Sequence, residues 1–252
     1  MYVIVICFDP RQCIYLSRLV FENSTFPHMI NIFMRNNNPT QPNGQKPPES
    51  SKPNEQGSVK VQGHIKIFDP QTKEVFVDKR NAIHYENFSL ALARGVSNQG
   101  FGFISEMAFG NGGTLVDDTG IITYLTPNTV GINAALYNQT YYKIIDPQTT
   151  GNLDPARNFM EVRHVLGQYY SDILISCLLD FGEPDGQSAF DNSTDTEGSF
   201  VFDEIGLRAY SADGPSTGDL LTHVIFHPVQ KSLNRMIQID YTVRIQSLSS
   251  GN

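Results

Sequence analysis

The sequence predicts a β-rich α+β protein, with antiparallel sheets of sandwich- or jelly-roll-like form and one clear helix near residues 83–97. Three observations carry that class. The run Met236–Ile245, "MIQIDYTVRI", alternates: Ile237, Ile239, Tyr241, Val243 and Ile245 face one way, while Gln238, Asp240, Thr242 and Arg244 face the other. That is the period of a strand with one wet face. "NAIHYENFSLALARGVSN" sets Tyr85, Phe88, Leu92 and Val96 at helical spacing, and Asn98 and Gly100 supply the stop. Elsewhere strand signals dominate, separated by turn chemistry such as "SADGPSTGD" (211–219).

Taken in order, residues 1–33 are an apolar, aromatic extension with no clear period. We read them as lying upstream of a misplaced start, with Met34 as the natural one; a small anchoring element is the alternative. No basic leader precedes the apolar run, and Asp9 and Arg11 interrupt it, unlike a secretory signal. Residues 34–58 form a Pro/Asn-rich arm or linker. From Arg35 to Ser58 there are five prolines and no aliphatic or aromatic side chain. Such a tract cannot bury enough apolar surface to offset its ordering entropy, so disorder is expected there.

Residues 59–248 read as a single β-rich domain. "VKVQGHIKIFD" (59–69) is a strand that stops at Asp-Pro, and "KIFDPQT" and "KIIDPQT" are two similar strand exits in which Asp bonds back to the turn. "YYSDILISCLLDF" (169–181) reads as a central strand, although its periodicity leaves a buried helix open. "FVFDEIGLRAY" and "LLTHVIFHPV" add two more strands.

The chemistry-bearing candidates are few. A formal charge of -8 argues against nucleic-acid binding, which needs basic surface. Three cysteines, Cys7, Cys13 and Cys177, make neither a disulfide framework nor a zinc site. "EMAFGNGGTLVDDTG" (106–120) has the glycines of a phosphate cradle. Yet a strand rather than a helix follows it, and no Lys or Arg lies between Arg94 and Lys143.

Gly110, Asn111, Gly112, Gly113, Asp117 and Asp118 therefore read as a flexible, backbone-exposing hairpin loop for contact with a neighbouring subunit. Deleting 111–113 is then expected to spare the fold. Asp117 and Asp118 on a strand point to opposite faces. Asp191, Ser193, Asp195 and Glu197 resemble a calcium loop, but the glycine is displaced and Phe202 stands where the closing Glu belongs.

His223 and His227 have the metal spacing of a helix on what reads as a strand, where they lie ~13 Å apart. Cys177 reads as packing, and the pairs Asp203/Glu204 and Glu183/Asp185 carry no sequence reason for a raised pKa. No cofactor, metal or catalytic residue is called for.

"HYENFSLALARGVSNQGFGFISEMAFGNGGTLVDDTGIITYLTPN", "AALYNQTYYKIID" and "FDEIGLRAYSADGPSTGDLLTHVIFHPVQKSLNRMIQIDYTVRI" resemble virion structural proteins of tailed bacteriophages. The resemblance covers most of 59–248, with a variable middle at 151–197. It implies a non-enzymatic capsid-, neck- or tail/baseplate-associated component made in the host cytoplasm. Its partners would be itself, as a homo-oligomer, and other virion proteins, with no sequence-specific nucleic-acid contact and no membrane. The alternative is a glycan- or receptor-binding adhesin module that stacks sugars on Tyr137, Tyr141 and Tyr142. A polysaccharide-degrading enzyme using two carboxylates is a third reading.

Overall fold

A computed structural model describes residues 2–9, 12–18, 57–184, 199–232 and 234–249. The chain divides into two units, Met1–Asn54 and Glu55–Asn252. In the first, β1 (Tyr2–Asp9) and β2 (Gln12–Arg18) pair as an antiparallel hairpin from Tyr2–Arg18 inward. Most of the expected arm at 34–58 lies outside the described residues, as does the calcium-like stretch 191–197.

The second unit is a sandwich of two five-stranded antiparallel sheets. Its elements are β3 (Gly57–Phe68), β4 (Val75–Arg80), β5 (Ala82–Ile83), α1 (Tyr85–Val96), β6 (Ile104–Gly110), β7 (Thr114–Val116) and β8 (Ile122–Tyr124). They continue as β9 (Gln139–Ile144), β10 (Phe159–His164), β11 (Tyr170–Leu179), β12 (Ser199–Ala209), β13 (Thr222–Ser232) and β14 (Ile237–Ser249). One sheet runs β10-β11-β14-β3-β4, the other β5-β13-β12-β6-β9, and β7 with β8 makes a separate small hairpin.

The strand periods of the sequence place the core. Ile237, Ile239, Tyr241 and Val243 of β14 are buried, as are Ile65 and Ile67 of β3 and Ile175, Cys177 and Leu179 of β11. Facing them from the second sheet are Met107, Phe109, Phe200, Phe202, Ile205, Leu207 and Phe226. Phe202 meets Phe109 and Phe226 edge-on at 5.5 and 5.8 Å, the geometry that aromatic quadrupoles favour. Within 169–181, Tyr170–Leu179 is the strand β11, between β10 and β14, which decides the helix-or-strand ambiguity. Both strand exits behave alike: Asp69 accepts from the N–H groups of Gln71 and Thr72, and Asp146 from that of Gln148.

The helix is where expected, but its buried face is not. Asn87, Phe88 and Ala91 are buried, while Tyr85, Leu92 and Val96 of the apolar stripe are exposed. Polar docking turned it: the Asn87 amide donates to the carbonyls of Leu220 and Ile132, and Arg94 pairs with Asp219 at 3.0 Å. His84 caps the N-terminus by accepting from Asn87 N–H. Asn98 and Gly100 take positive φ just past its end, as stop residues do.

Candidate functional site

The pair Asp203–Glu204 organises one outer face of the sandwich. Strict alternation along "FDEI" would send one of the two carboxylates into the core. Instead both Phe202 and Ile205 are core residues, and the pairing of β12 with β13 is irregular there, with a register shift between Phe202 and Glu204. The extra residues lie on β13 around Pro228, which has no N–H to give a ladder. The irregularity frees both carboxylates to turn outward, under the loops that connect β6 to β9.

Those loops supply the donors. Glu204 accepts from the N–H groups of Gly112 (3.2 Å), Asn138 (2.8 Å) and Tyr137 (3.0 Å), and from His223 Nε2 (2.9 Å). Asp203 accepts from Gly113 N–H and Thr114 N–H, both at 2.8 Å, and from the Thr114 hydroxyl. His223 Nδ1 in turn accepts from Asn128 N–H at 2.8 Å, which leaves its ring proton on Nε2, facing Glu204. His223 and Glu204 have no exposed side-chain surface.

Burial pushes the Glu204 carboxyl up, but the His223 bond and the Asn138 and Tyr137 N–H groups outweigh it and hold the group below its ordinary range. Burial dominates at Asp203 and raises it, with the Glu204 charge adding to the effect.

The glycine stretch therefore does cradle an anion, and the anion belongs to the chain itself. This corrects the expectation of a flexible, backbone-exposing loop at its first half. Gly110 and Gly113 are buried, and the N–H groups of Gly112 and Gly113 are taken by Glu204 and Asp203. The glycines serve close approach. A Cβ on Gly110 would lie 2.4 Å from Glu204 Oε1 and 2.5 Å from Asn138 O. Deleting 111–113 would strip buried carboxylates of their donors rather than spare the fold.

The second half does project into solvent. Asp117 closes an Asx turn onto Thr119 and Ile121 N–H, with Asp118 exposed at the tip. Around it Val116 (62% exposed), Ile121 (63%) and, on the 128–137 loop, Val130 (89%) are bare apolar side chains.

The remaining candidates separate. His223 and His227 share no partner, since His227 lies exposed beside the Tyr124 hydroxyl at 3.3 Å. Among the described residues no three His, Cys, Asp or Glu side chains are grouped to hold a metal. No helix among them is long and apolar enough to cross a membrane. Cys177 is buried, and burial pushes its thiol up to about 12, which suits packing rather than nucleophilic attack. The three tyrosines do not form one platform: Tyr141 is buried against Phe109, Tyr142 lines a cleft, and Tyr137 donates to Thr126 O.

That cleft, of about 510 Å³, lies between β9, the 149–157 segment and the 209–218 loop. It gathers Glu106, Asp154, Asp180 and Glu183, with Lys143 and Arg157. Its groups find partners within the protein: Arg157 bridges Asp154 and Asp180, Lys143 holds Glu183 and the carbonyl of Leu178, and Glu106 accepts from Ser216 N–H at 2.8 Å. Behind it the fully buried Lys231 donates to the carbonyls of Glu183 and Ser232, and burial lowers its ammonium to about 8. Asp185, the other member of the Glu183 pair, lies outside the described residues.

Sequence reasoning weighed Asp203, Glu204 and His223 as catalytic or metal groups and missed their role as pins. The readable signal was the broken alternation of "FDEI" beside a glycine stretch that lacks any basic residue. No family model, no curated protein and no solved structure matches this chain.

Proposed function

We propose that this chain is a non-enzymatic structural component of a tailed-phage particle, acting through contacts with copies of itself and with neighbouring particle proteins. The observation that carries the assembly half is the pinned outer face. Two long loops are held at their bases by six hydrogen bonds onto Asp203 and Glu204, and His223 of β13 gives Glu204 a further one. Their tips offer Val116, Ile121 and Val130 to solvent.

Bare apolar side chains on rigid loops lose little conformational entropy when a partner covers them, which suits a repeated contact. The phage half rests on the resemblance of 84–128, 134–146 and 202–245 to virion structural proteins. The ionic groups of the cleft fit the same reading, since they bind one another.

Mass spectrometry of intact purified particles from the phage that encodes the chain tests the proposal. It should find the chain as a multi-copy component, and its absence from the particle overturns the reading.

A further inference from the structure

Among the described residues the first sheet ends on β10, which pairs with β11 and has no strand on the outer row of its backbone N–H and C=O groups. Unpaired edges are templates for another strand, and proteins blunt the ones that are not used. β10 carries Val162 at 72% exposure, on the face whose neighbour Met160 packs against the core. The opposite face carries Glu161 and Arg163.

We propose that β10 is a self-pairing edge: two copies of this chain join through it, antiparallel, about a two-fold axis at Val162. The register follows from the residues. Pairing Val162 with its own copy sets Glu161 opposite Arg163 twice, Met160 opposite His164, and Phe159 opposite Val165 just beyond the strand. Val162 thus meets its own copy, the charged positions meet opposite charges, and Phe159 meets apolar Val165, as an isologous interface requires.

A second feature points the same way. Across the sheet, Arg244 of β14 stands opposite Asp172 of β11, which it holds in two bonds of 2.7 and 2.8 Å, and Asp172 stands opposite Arg163 of β10. This row alternates in sign and ends on a cation at the edge. The two-fold places the Glu161 carboxylate of the other copy next in the row. Within one copy Glu161 and Arg163 touch at 3.1 Å, so their two charges balance at the edge.

The opposite edge, β4, lacks this match. Turned about Val77 it sets Phe76 against Asp78 and Val75 against Lys79, and turned about Asp78 it sets Val77 against Lys79 and Phe76 against Arg80. The joined sheets would be continuous through both copies, with Val162 shielded by its own counterpart.

The inference rests on the proposed function only for its partner, a second copy. Sedimentation of the full chain, of Glu161→Arg, of Arg163→Glu and of their equimolar mixture tests it. Wild type should dimerise. Each variant alone sets like charges opposite one another twice, so its self-association should weaken about tenfold or more. The mixture should recover wild-type association, because one copy then offers two guanidinium groups to two carboxylates. That recovery also excludes misfolding as the cause. Association of wild type that neither variant weakens overturns the β10 pairing and leaves self-assembly through another surface. A wild type that stays monomeric overturns both the pairing and the self-association it rests on.

Discussion

Two charged clusters of this sandwich use the same residue types to different ends. Beneath the 110–138 loops, Asp203, Glu204 and His223 are buried and spend their lone pairs on backbone N–H groups. In the cleft, Asp154, Arg157, Asp180, Glu183 and Lys143 lie nearer water and mostly neutralise one another. The difference teaches what burial does to a carboxylate. A dry acceptor surrounded by donors fixes backbone, because any donor it releases has no water to turn to. A wet ion pair is replaceable by solvent and fixes little.

The sharpest way to break this contrast is Glu204→Ala. Three backbone N–H groups and the His223 ring proton would lose their acceptor at once. Unfolding by denaturant should show a loss of about 3–5 kcal/mol, the range for orphaning a buried charged network. A loss below that of an exposed pair would overturn the role of Glu204 as a pin.

Gly110→Ala tests the same site from the other side. Its methyl group would press on Glu204 Oε1 and Asn138 O, neither of which can withdraw without breaking the network. We expect about 1–3 kcal/mol of destabilisation, the usual cost of overpacking. Alanine at exposed Gly120 would be strained by its φ of 82° instead, with no contact within 4 Å.

Titration distinguishes the clusters further. The Glu204 carboxyl sits below its ordinary value of 4.5 when folded. Its contribution is therefore present above pH 4.5 and is lost as pH falls through the lowered folded value. The stability difference between wild type and Glu204→Gln should stay constant above that pH and shrink below it. Asp203 runs in the opposite sense, since its folded value is raised above 3.8, so it favours the folded state when protonated. A difference that grows on acidification would contradict the assignment of Glu204 as the ionised acceptor.

Smaller effects belong to the cleft and to the loop tips. Arg157→Ala removes a half-exposed cation from two carboxylates and should cost under about 1 kcal/mol, less at high salt. Ile121→Asp lies at an exposed tip and should leave stability within about 0.5 kcal/mol while reducing association in the same sample. If Ile121→Asp unfolds the chain, the tip is part of the core and the distinction between pin and tip fails.

Much of the sheet framework was legible. The alternation of "MIQIDYTVRI" and the Asp-Pro strand exits gave β14, β3 and the turns after β3 and β9, because local period and turn chemistry depend on near neighbours. The helix was legible in position and stop but not in orientation. Of its apolar stripe only Phe88 is buried; the Asn87 amide donates to the carbonyls of Leu220 and Ile132, and that docking decided which side turned inward. The glycine stretch was legible as a place where backbone N–H groups gather. What they gather around was not, since Asp203 and Glu204 lie about ninety residues away in the chain.

By itself, then, the sequence determined the β-rich class, the strand periods and the location of the helix. It also established that no basic residue attends the glycine stretch, so an external phosphate had no charge to meet. Tertiary structure alone decided that the missing charge balance runs the other way, with acidic residues of β12 brought under those glycines. The physical reason is one of range. Propensity and periodicity act over a few residues, whereas the partner of a buried carboxylate is chosen by a slip in strand pairing that only the folded sheet contains.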